Sequence, residues 1–186
     1  MKKILILASL FVAASCTYAT QRVNLNFSFD DKKSSLGNNS VLDVAVIDDR
    51  MDKEILGKKK IGDEEINIVS EQNLAALLQK RITENLVQRG FKQGKGKLVE
   101  FHIESLKYKA KRKFFIGKSE ADTNFKVIVK NVRNGTTFTK NFNLSVKNKH
   151  FIMPLEATDA NTINDLIQEV VENILNDESL LKSLIQ

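Results

Sequence analysis

The chain has 186 residues, of which 42% are hydrophobic and 28% charged, and its formal net charge at pH 7 is +6. These values are typical of a globular protein and exclude an intrinsically disordered chain. The single cysteine excludes a disulfide scaffold, and the length is enough for one domain with its own hydrophobic core.

Residues 1–15 have the pattern of a secretory signal. Met1-Lys2-Lys3 is basic, and an uncharged run of apolar and small residues follows as far as Ser15. The run is shorter than the roughly 20 apolar residues that a membrane-spanning helix needs. We therefore predict that residues 1–15 are a signal peptide.

Cys16 follows this run directly. The segment Ala13-Ala14-Ser15-Cys16 resembles the bacterial lipobox, whose cysteine is acylated and becomes the new N-terminus, although Ala13 stands where leucine is usual. The alternative is cleavage after Ala19, because Thr17-Tyr18-Ala19 also satisfies a small-x-small rule and would remove Cys16. We favour lipidation of Cys16, since a cysteine at the end of such a run is uncommon by chance.

The resemblance to bacterial lipoproteins implies a diacylglycerol and an amide-linked acyl chain on Cys16. Together they would hold the protein stably on a membrane, whereas one chain gives only marginal binding. The residue after the cysteine is Thr17 rather than the aspartate that retains such proteins in the inner membrane. The same resemblance therefore favours the outer membrane, with the domain facing the periplasm.

Residues 16–40 are polar and rich in turn-forming residues, which predicts a flexible, lipidated tether. Inside it, an alternation of apolar and polar residues indicates either an edge strand or a segment that lies extended on the domain: Val23, Leu25, Phe27 and Phe29. We predict a single folded domain over residues 41–186.

Five strands are predicted in this domain. The apolar, β-branched run 41–47 predicts the first strand, and residues 51–64 are predicted to be a charged loop before a short strand at 66–69. Alternating apolar residues predict three more strands, starting near Val99, Phe125 and Phe138. Asn134-Gly135 favours a hairpin between the last two.

Two long helices are predicted. The first is expected to start at the N-cap Ser70, with Glu71 in its first turn, and to stop at Gly90. The second is expected from Asp159 to Asn176, with a short terminal turn after it. Together the elements predict an α+β fold, a two-layer sandwich in which two helices cover one face of a mostly antiparallel or mixed sheet of about five strands.

The order and spacing of these patterns resemble the YajG family of bacterial lipoproteins over nearly the whole chain. The residues that carry the resemblance are Cys16, Val44-Ala45-Val46, Asp49-Arg50, Leu56, Leu74, Leu77-Leu78, Leu86, Arg89-Gly90-Phe91 and Thr139-Lys140-Asn141-Phe142. The resemblance implies a small envelope lipoprotein without an established activity. It supplies no catalytic residues.

The sequence contains no recognisable catalytic motif, so we predict neither an enzyme nor a cofactor. The histidines are His102 and His150. His102 shares a strand face with Glu100 and Glu104, which would suit a metal, but a Zn²⁺ site needs three or four ligands and a solvated strand face is favoured. For Asp48-Asp49-Arg50 we favour a turn in which Arg50 pairs with a neighbouring carboxylate over an acidic active site.

The segment 107–115 combines cations with aromatic residues. Its basic residues are Lys107, Lys109, Lys111, Arg112 and Lys113. Such a pattern suggests nucleic-acid binding in a cytosolic protein, but an exported protein meets other polyanions instead. The segment is therefore either a contact with anionic lipid, lipopolysaccharide or acidic polymer, or, as we favour, a solvated loop.

Three functions follow from these observations. The favoured one is a non-enzymatic binding or scaffold module whose partner is another envelope protein or an envelope polymer. The second is an accessory of envelope assembly or transport that binds anionic lipid or lipopolysaccharide through the basic segment. The third is a periplasmic hydrolase, which would need two converging acids in a pocket.

Overall fold

The computed structural model describes residues 19–29, 34–113, 116–131, 134–150 and 156–185. Within these ranges, eight strands form one mixed sheet beside three helices. The strands are β1 (Thr20–Val23), β2 (Val41–Asp48), β3 (Ile55–Ile61), β4 (Glu64–Ser70), β5 (Lys92–Gln93), β6 (Lys97–Lys113), β7 (Ile116–Asn131) and β8 (Thr137–His150). The helices are α1 (Leu74–Gln88), α2 (Glu156–Leu175) and α3 (Glu178–Ile185).

The long strand β6 organises the sheet, whose order is β1-β4-β3-β6-β2-β5 with β7 and β8 joined through β6. Along one edge, β6 pairs in parallel first with β2 and then with β3. Along its other edge it pairs with β7 in an antiparallel hairpin. Two separate strands thus share one edge of β6.

A register shift between Ile103 and Ser105 interrupts the pairing of β6 with β7. Because side chains alternate between the two faces of a strand, one extra residue reverses which positions face the core. Phe101 and Ile103 are buried before the shift, whereas Tyr108 and Ala110 are buried after it. In the second half of β6, the odd-numbered lysines therefore point away from the core.

The prediction of about five strands is wrong, because β1, β3 and β5 also belong to the sheet. The largest error is the predicted loop 51–64, which contains all of β3. β3 can approach β6 closely because Gly57 has no side chain: a Cβ there would lie 2.3 Å from the carbonyl oxygen of Tyr108. The α+β class and the mixed character of the sheet are confirmed.

The N-terminus of α1 lies three residues later than predicted. Asn73 is the N-cap, and its Oδ1 accepts a hydrogen bond from the backbone N–H of Ala76 at 2.9 Å. Ser70 instead ends β4, and Glu71 precedes the helix. The predicted end of α1 at Gly90 is confirmed. Gly90 follows the C-cap residue Arg89 and has a φ of 89°, a conformation that glycine adopts without strain.

The C-terminal helices also differ from the prediction. The structure shows α2 from Glu156, so the predicted N-terminus at Asp159 lies inside the helix. The predicted terminal turn is helix α3. Its N-terminus is capped by Asp177, whose Oδ1 accepts the backbone N–H of Leu180 at 2.9 Å.

Buried side chains from the sheet and all three helices form one hydrophobic core. Helix α1 packs on β2 and β5, and α2 packs on β1, β7 and β8. Residues 20–29 of the predicted tether belong to this structure: β1 pairs with β4, and the side chains that follow are buried, namely Val23, Leu25, Phe27 and Phe29. In the described ranges, no helix is long and apolar enough to cross a membrane.

Candidate functional site

Two rows of charged side chains run across neighbouring strands on the side of the sheet that points away from the core. We call the lysines of these rows the basic face. From β3 through β6 and β7 to β8, the first row is Lys58, Lys109, Glu120 and Lys147, and the second is Lys60, Lys111, Lys118 and Lys149. The positions between the rows point to the core, since Lys59, Ala110 and Ser119 are buried.

Few carboxylates neutralise this face. Lys58 pairs with Glu65 at 2.6 Å, and Lys147 pairs with Glu120 at 2.8 Å. The remaining lysines form no ion pair with any other described residue: Lys60, Lys109, Lys111, Lys118 and Lys149. The face therefore has a clear excess of positive charge.

The two ion pairs also shift the pKa values of their members. The hydrogen bond and charge of Lys58 hold the pKa of Glu65 below its ordinary value. The hydrogen bond and charge of Glu120 likewise raise the pKa of Lys147. In the second row, like charges lie directly opposite one another on adjacent strands, an arrangement that destabilises a sheet unless an anion offsets it.

Two neighbouring clefts border the basic face. The first encloses about 490 Å³ and is lined by lysines of both rows, by the paired carboxylates Glu65 and Glu120, and by residues between the rows. The second encloses about 530 Å³, shares Lys58 and Lys109 with the first, and is bordered by the fully exposed Met51. An anionic ligand could be surrounded by ammonium groups in the first cleft, with the lysine stems as apolar walls.

Residues 107–113 of the predicted basic segment belong to strand β6 and are not a loop, and residues 114–115 lie outside the described residues. Lys107, Lys109 and Lys111 are exposed on its outer side, whereas the side chains of Arg112 and Lys113 lie outside the described part of the structure. Sequence reasoning missed the lysines of β3, β7 and β8. The lysines of β3 and β8 are distant in sequence from β6, and Lys118 lies on the neighbouring strand of the β6–β7 hairpin. The strand register brings all of them beside Lys109 and Lys111.

A separate polar cluster lies on the opposite, buried side of the sheet. Asp159 of α2 is fully buried and accepts three hydrogen bonds. Its Oδ1 accepts the hydroxyl of Tyr108 at 2.5 Å, and its Oδ2 accepts Lys59 Nζ at 2.6 Å and Gln21 Nε2 at 3.1 Å. The cluster joins α2 to β6, β3 and β1.

Burial raises the pKa of Tyr108, and its hydrogen bond to the Asp159 carboxylate raises that pKa further. The phenol therefore stays protonated and donates to the carboxylate. A buried charge is tolerated when such partners satisfy it, and removal of one partner is costly. We assign the cluster a structural role, one that a sequence without register information does not reveal.

The acidic pair at the end of β2 is likewise held by neighbours. The guanidinium of Arg50 binds both carboxylate oxygens of Asp48, with Nη2 to Oδ2 at 2.7 Å, and donates to the carbonyls of Lys53 and Ile55. The predicted pairing of Arg50 with a neighbouring carboxylate is thus confirmed. This arrangement fixes the loop between β2 and β3.

His102 contacts two carboxylates. Its Nδ1 lies 2.6 Å from Asp49 Oδ2, and its Nε2 lies 3.7 Å from Glu100 Oε2. The pKa of Glu100 is lowered, chiefly by its hydrogen bond from Lys130. Among the residues that the structure describes, no three His, Cys, Asp or Glu side chains are grouped to hold a metal ion. The side chain of His150 is outside the described part.

A comparison with models of known protein families gives a match over most of the chain. A family model with the description "Uncharacterized lipoprotein" matches residues 29–185. The chain belongs to the YajG family of lipoproteins. The resemblance noted in the sequence is thereby confirmed. Cys16 and the leader precede both the matched range and the described residues, so lipidation and export stay predictions.

The solved structures that match this YajG-family chain share little of its sequence. Protein XCC0632 from Xanthomonas campestris has a TM-score of 0.57 and 6% identity, with 89% of this chain and 96% of that chain covered. A homologue of the neuraminyllactose-binding haemagglutinin from Helicobacter pylori has a TM-score of 0.41 and 8% identity, covering 86% and 96%. No curated protein matches the sequence. The first similarity shows the fold alone.

Proposed function

We propose that this lipoprotein is a non-catalytic module, anchored in the outer membrane through lipid on Cys16, whose basic face binds phosphate-bearing components of the cell envelope. Membership of a lipoprotein family supports the anchor. The ligand class follows from the charge of the face and from the anionic partners that an exported protein meets, which include phospholipid headgroups and the phosphates of lipopolysaccharide.

The observation that carries the binding proposal is the second lysine row. Lys60, Lys111, Lys118 and Lys149 stand side by side on four strands, and none of them forms an ion pair with another described residue. The acid at the edge of this row, Glu65 on β4, lies opposite Lys60 but pairs with Lys58. A cation near an anionic membrane surface contributes about 1 kcal/mol to binding. A row of four can therefore contribute up to about 4 kcal/mol to the binding of a multiply charged ligand, which corresponds to a dissociation constant of about 1 mM from this row alone before losses to screening.

The buried acids described above are occupied by contacts within the fold. Asp159 and Asp48 are each held by a cation, and these contacts fix the fold. Catalysis by acids and bases needs groups that are free to exchange protons with a substrate. Among the described residues, Asp49 and Glu100 converge on His102, and Glu100 also pairs with Lys130, so these acids are held by cations or by the imidazole and do not support the hydrolase alternative.

The anchor is tested by labelling cells with palmitate. Wild-type protein should incorporate the label and sediment with outer membranes, whereas Cys16→Ala should lose both properties. Incorporation of label into Cys16→Ala, or its continued sedimentation with membranes after washing in high salt, would refute the anchor.

The binding proposal is tested with purified mature lipoprotein in detergent and fluorescent lipopolysaccharide. The row variant carries Lys60→Gln, Lys111→Gln, Lys118→Gln and Lys149→Gln. The matched control removes the same charge at exposed lysines elsewhere: Lys80→Gln, Lys92→Gln, Lys95→Gln and Lys182→Gln. We expect the row variant to bind at least about tenfold more weakly and the control to bind within about twofold of wild type. Equal losses in both variants would show that only net charge matters.

A further inference from the structure

The described fold begins very close to the predicted anchor. β1 starts at Thr20, four peptide units after Cys16, and it is already paired with β4 there. A chain spans at most about 3.6 Å per residue, so the Cα atoms of Cys16 and Thr20 can be no more than about 14 Å apart. A lipid on Cys16 would therefore hold the sheet beside the membrane surface.

The strand register shows which part of the sheet would lie there. Thr20 is paired with Asn67, and Asn67 with Lys58, so β1 begins in the first lysine row. β1 and β4 are parallel, and Glu65 of the second row precedes Asn67 on β4. The residues that precede Thr20 in the sequence therefore lead along the sheet toward the second row, and Cys16 lies in that direction.

The distances across the sheet are short. Neighbouring strands are about 4.8 Å apart, which places Lys58 about 10 Å, Lys111 about 14 Å and Lys149 about 24 Å from β1 along the sheet. The lysine stem adds further reach. The ammonium groups are thus within reach of the headgroups around the anchor.

Resting on the lipid anchor proposed above, we propose that the basic face docks on the anionic headgroups of the same membrane that holds Cys16. Charge complementarity and the short connection both favour this occupant. Tethering makes the docking intramolecular, so that weak individual contacts act at a high effective concentration. The lipid and the lysines then form a two-point attachment that fixes the orientation of the domain.

Exposed apolar residues lie at the same end of the sheet. Ile61 at the end of β3 is 43% exposed, and Ile116 at the start of β7 is 50% exposed. Apolar side chains beside lysines are typical of surfaces that rest in the headgroup region of a bilayer. Their position strengthens the proposed orientation.

The test uses full-length mature lipoprotein inserted through its own lipid into vesicles of phosphatidylcholine, with or without about one-third phosphatidylglycerol. A donor fluorophore is attached at Ser145→Cys, which is on the exposed side of β8 near the rows, or at Thr137→Cys at the far end of β8. Energy transfer to a headgroup-labelled lipid then reports the height of each site above the membrane.

We expect transfer from site 145 to exceed that from site 137 in anionic vesicles, and the difference to fall in high salt. The row variant should lower the ratio of docked to undocked protein by up to about a thousandfold. The matched control variant should leave this ratio unchanged.

Other outcomes overturn the proposal in distinguishable ways. Equal transfer from both sites in correctly anchored wild-type protein would show that the face does not dock. Clustering with added anionic vesicles, without transfer to the anchoring membrane, would assign the face to a second membrane. Failure to float with neutral vesicles would remove the anchor on which the proposal rests, whereas the lipopolysaccharide assay in detergent tests polyanion binding separately.

Discussion

Lys58, Lys59 and Lys60 are consecutive in β3 but lie in two different environments. The side chain of Lys59 is 5% exposed and contacts a fully buried aspartate, whereas that of Lys58 is 53% exposed. Lys60 also faces outward, without an ion-pair partner among the described residues. The same residue type thus contributes to stability on one side of the sheet and is available for binding on the other.

The buried and the outer side of the whole sheet differ in the same way as these three lysines. On the buried side, Asp159 receives hydrogen bonds from Gln21, Lys59 and Tyr108, so its charge is satisfied within the fold. On the outer side, Glu65 lies at the edge of the second row and pairs with Lys58, and the lysines of that row form no ion pair with another described residue. Substitutions on the buried side should therefore affect folding, and those on the outer side should affect ligand binding.

The largest loss of stability is expected from Asp159→Ala. It removes the Asp159 carboxylate from the buried Lys59 ammonium, and breaking a buried pair in this way costs about 3–5 kcal/mol. Urea denaturation followed by circular dichroism measures the change in the free energy of unfolding. Adding Lys59→Met should recover part of the loss, because the buried positive charge is then gone.

Glu65→Ala is the matched control, since it removes the carboxylate of the exposed Lys58–Glu65 pair. It should lower the free energy of unfolding far less than Asp159→Ala does, because water and salt screen an exposed ion pair. If Asp159→Ala proved no more damaging than Glu65→Ala, the distinction between the two sides of the sheet would be wrong.

The next largest effect is expected from Arg50→Ala. The substitution leaves Asp48 and the carbonyls of Lys53 and Ile55 without their donor, which costs about 2–3 kcal/mol. Thermal unfolding measures the loss, and limited proteolysis should show faster cleavage at residues 51–54. Arg50→Lys should restore little, because an ammonium cannot reproduce the two-point contact with Asp48. Full restoration by lysine would contradict this assignment.

The alternating strands and both long helices could be predicted from the sequence because their apolar periodicity is strong. The strand β3 could not, since Lys58, Lys59 and Lys60 resemble a charged loop and nothing nearby in sequence marks Lys59 as buried. Its partner Asp159 lies in α2, far along the chain. Local patterns carry no information on such a pairing.

Of the basic face, the sequence indicates only the β6 residues Lys109 and Lys111, and it favours a solvated loop for the segment that contains them. The rest depends on the register of four strands and on the shift between Ile103 and Ser105. The shift decides which alternate residues face outward, and it has no signature in residue type. A single sequence therefore indicates a charged segment but not the surface to which it belongs.

A smaller effect on stability is expected from Asp177→Ala. The side chain of Asp177 is 19% exposed, which is intermediate between the buried Asp159 and the exposed lysine row. Burial alone would raise the pKa of Asp177, but hydrogen bonds from Lys140, Ser179 and the Leu180 amide lower it to about 2. Because the folded pKa lies below the ordinary value of 3.8, Asp177 stabilises the fold above about pH 4, and this contribution is lost as the pH falls toward 2.

At neutral pH, Asp177→Ala should lower the free energy of unfolding by about 1 kcal/mol through loss of the N-cap of α3. The difference from wild type should shrink between pH 4 and pH 2. A difference that is independent of pH would show that the charge of Asp177 plays no part.

The smallest effect is expected from Lys118→Gln in the second row. Removing one charge between Lys111 and Lys149 relieves repulsion and should raise the free energy of unfolding by up to about 0.5 kcal/mol in low salt. The gain should vanish in high salt, because screening removes the repulsion. Lys147→Gln, which loses its pair with Glu120, should give no such gain.

The central claim is that the second lysine row recognises phosphate. The most direct measurement compares intact and enzymatically dephosphorylated lipopolysaccharide in equilibrium binding to wild-type mature lipoprotein and to the row variant. The account predicts that wild type loses most of its affinity when the phosphates are removed and that the row variant binds both forms equally weakly. Equal binding of both forms by wild type would contradict it.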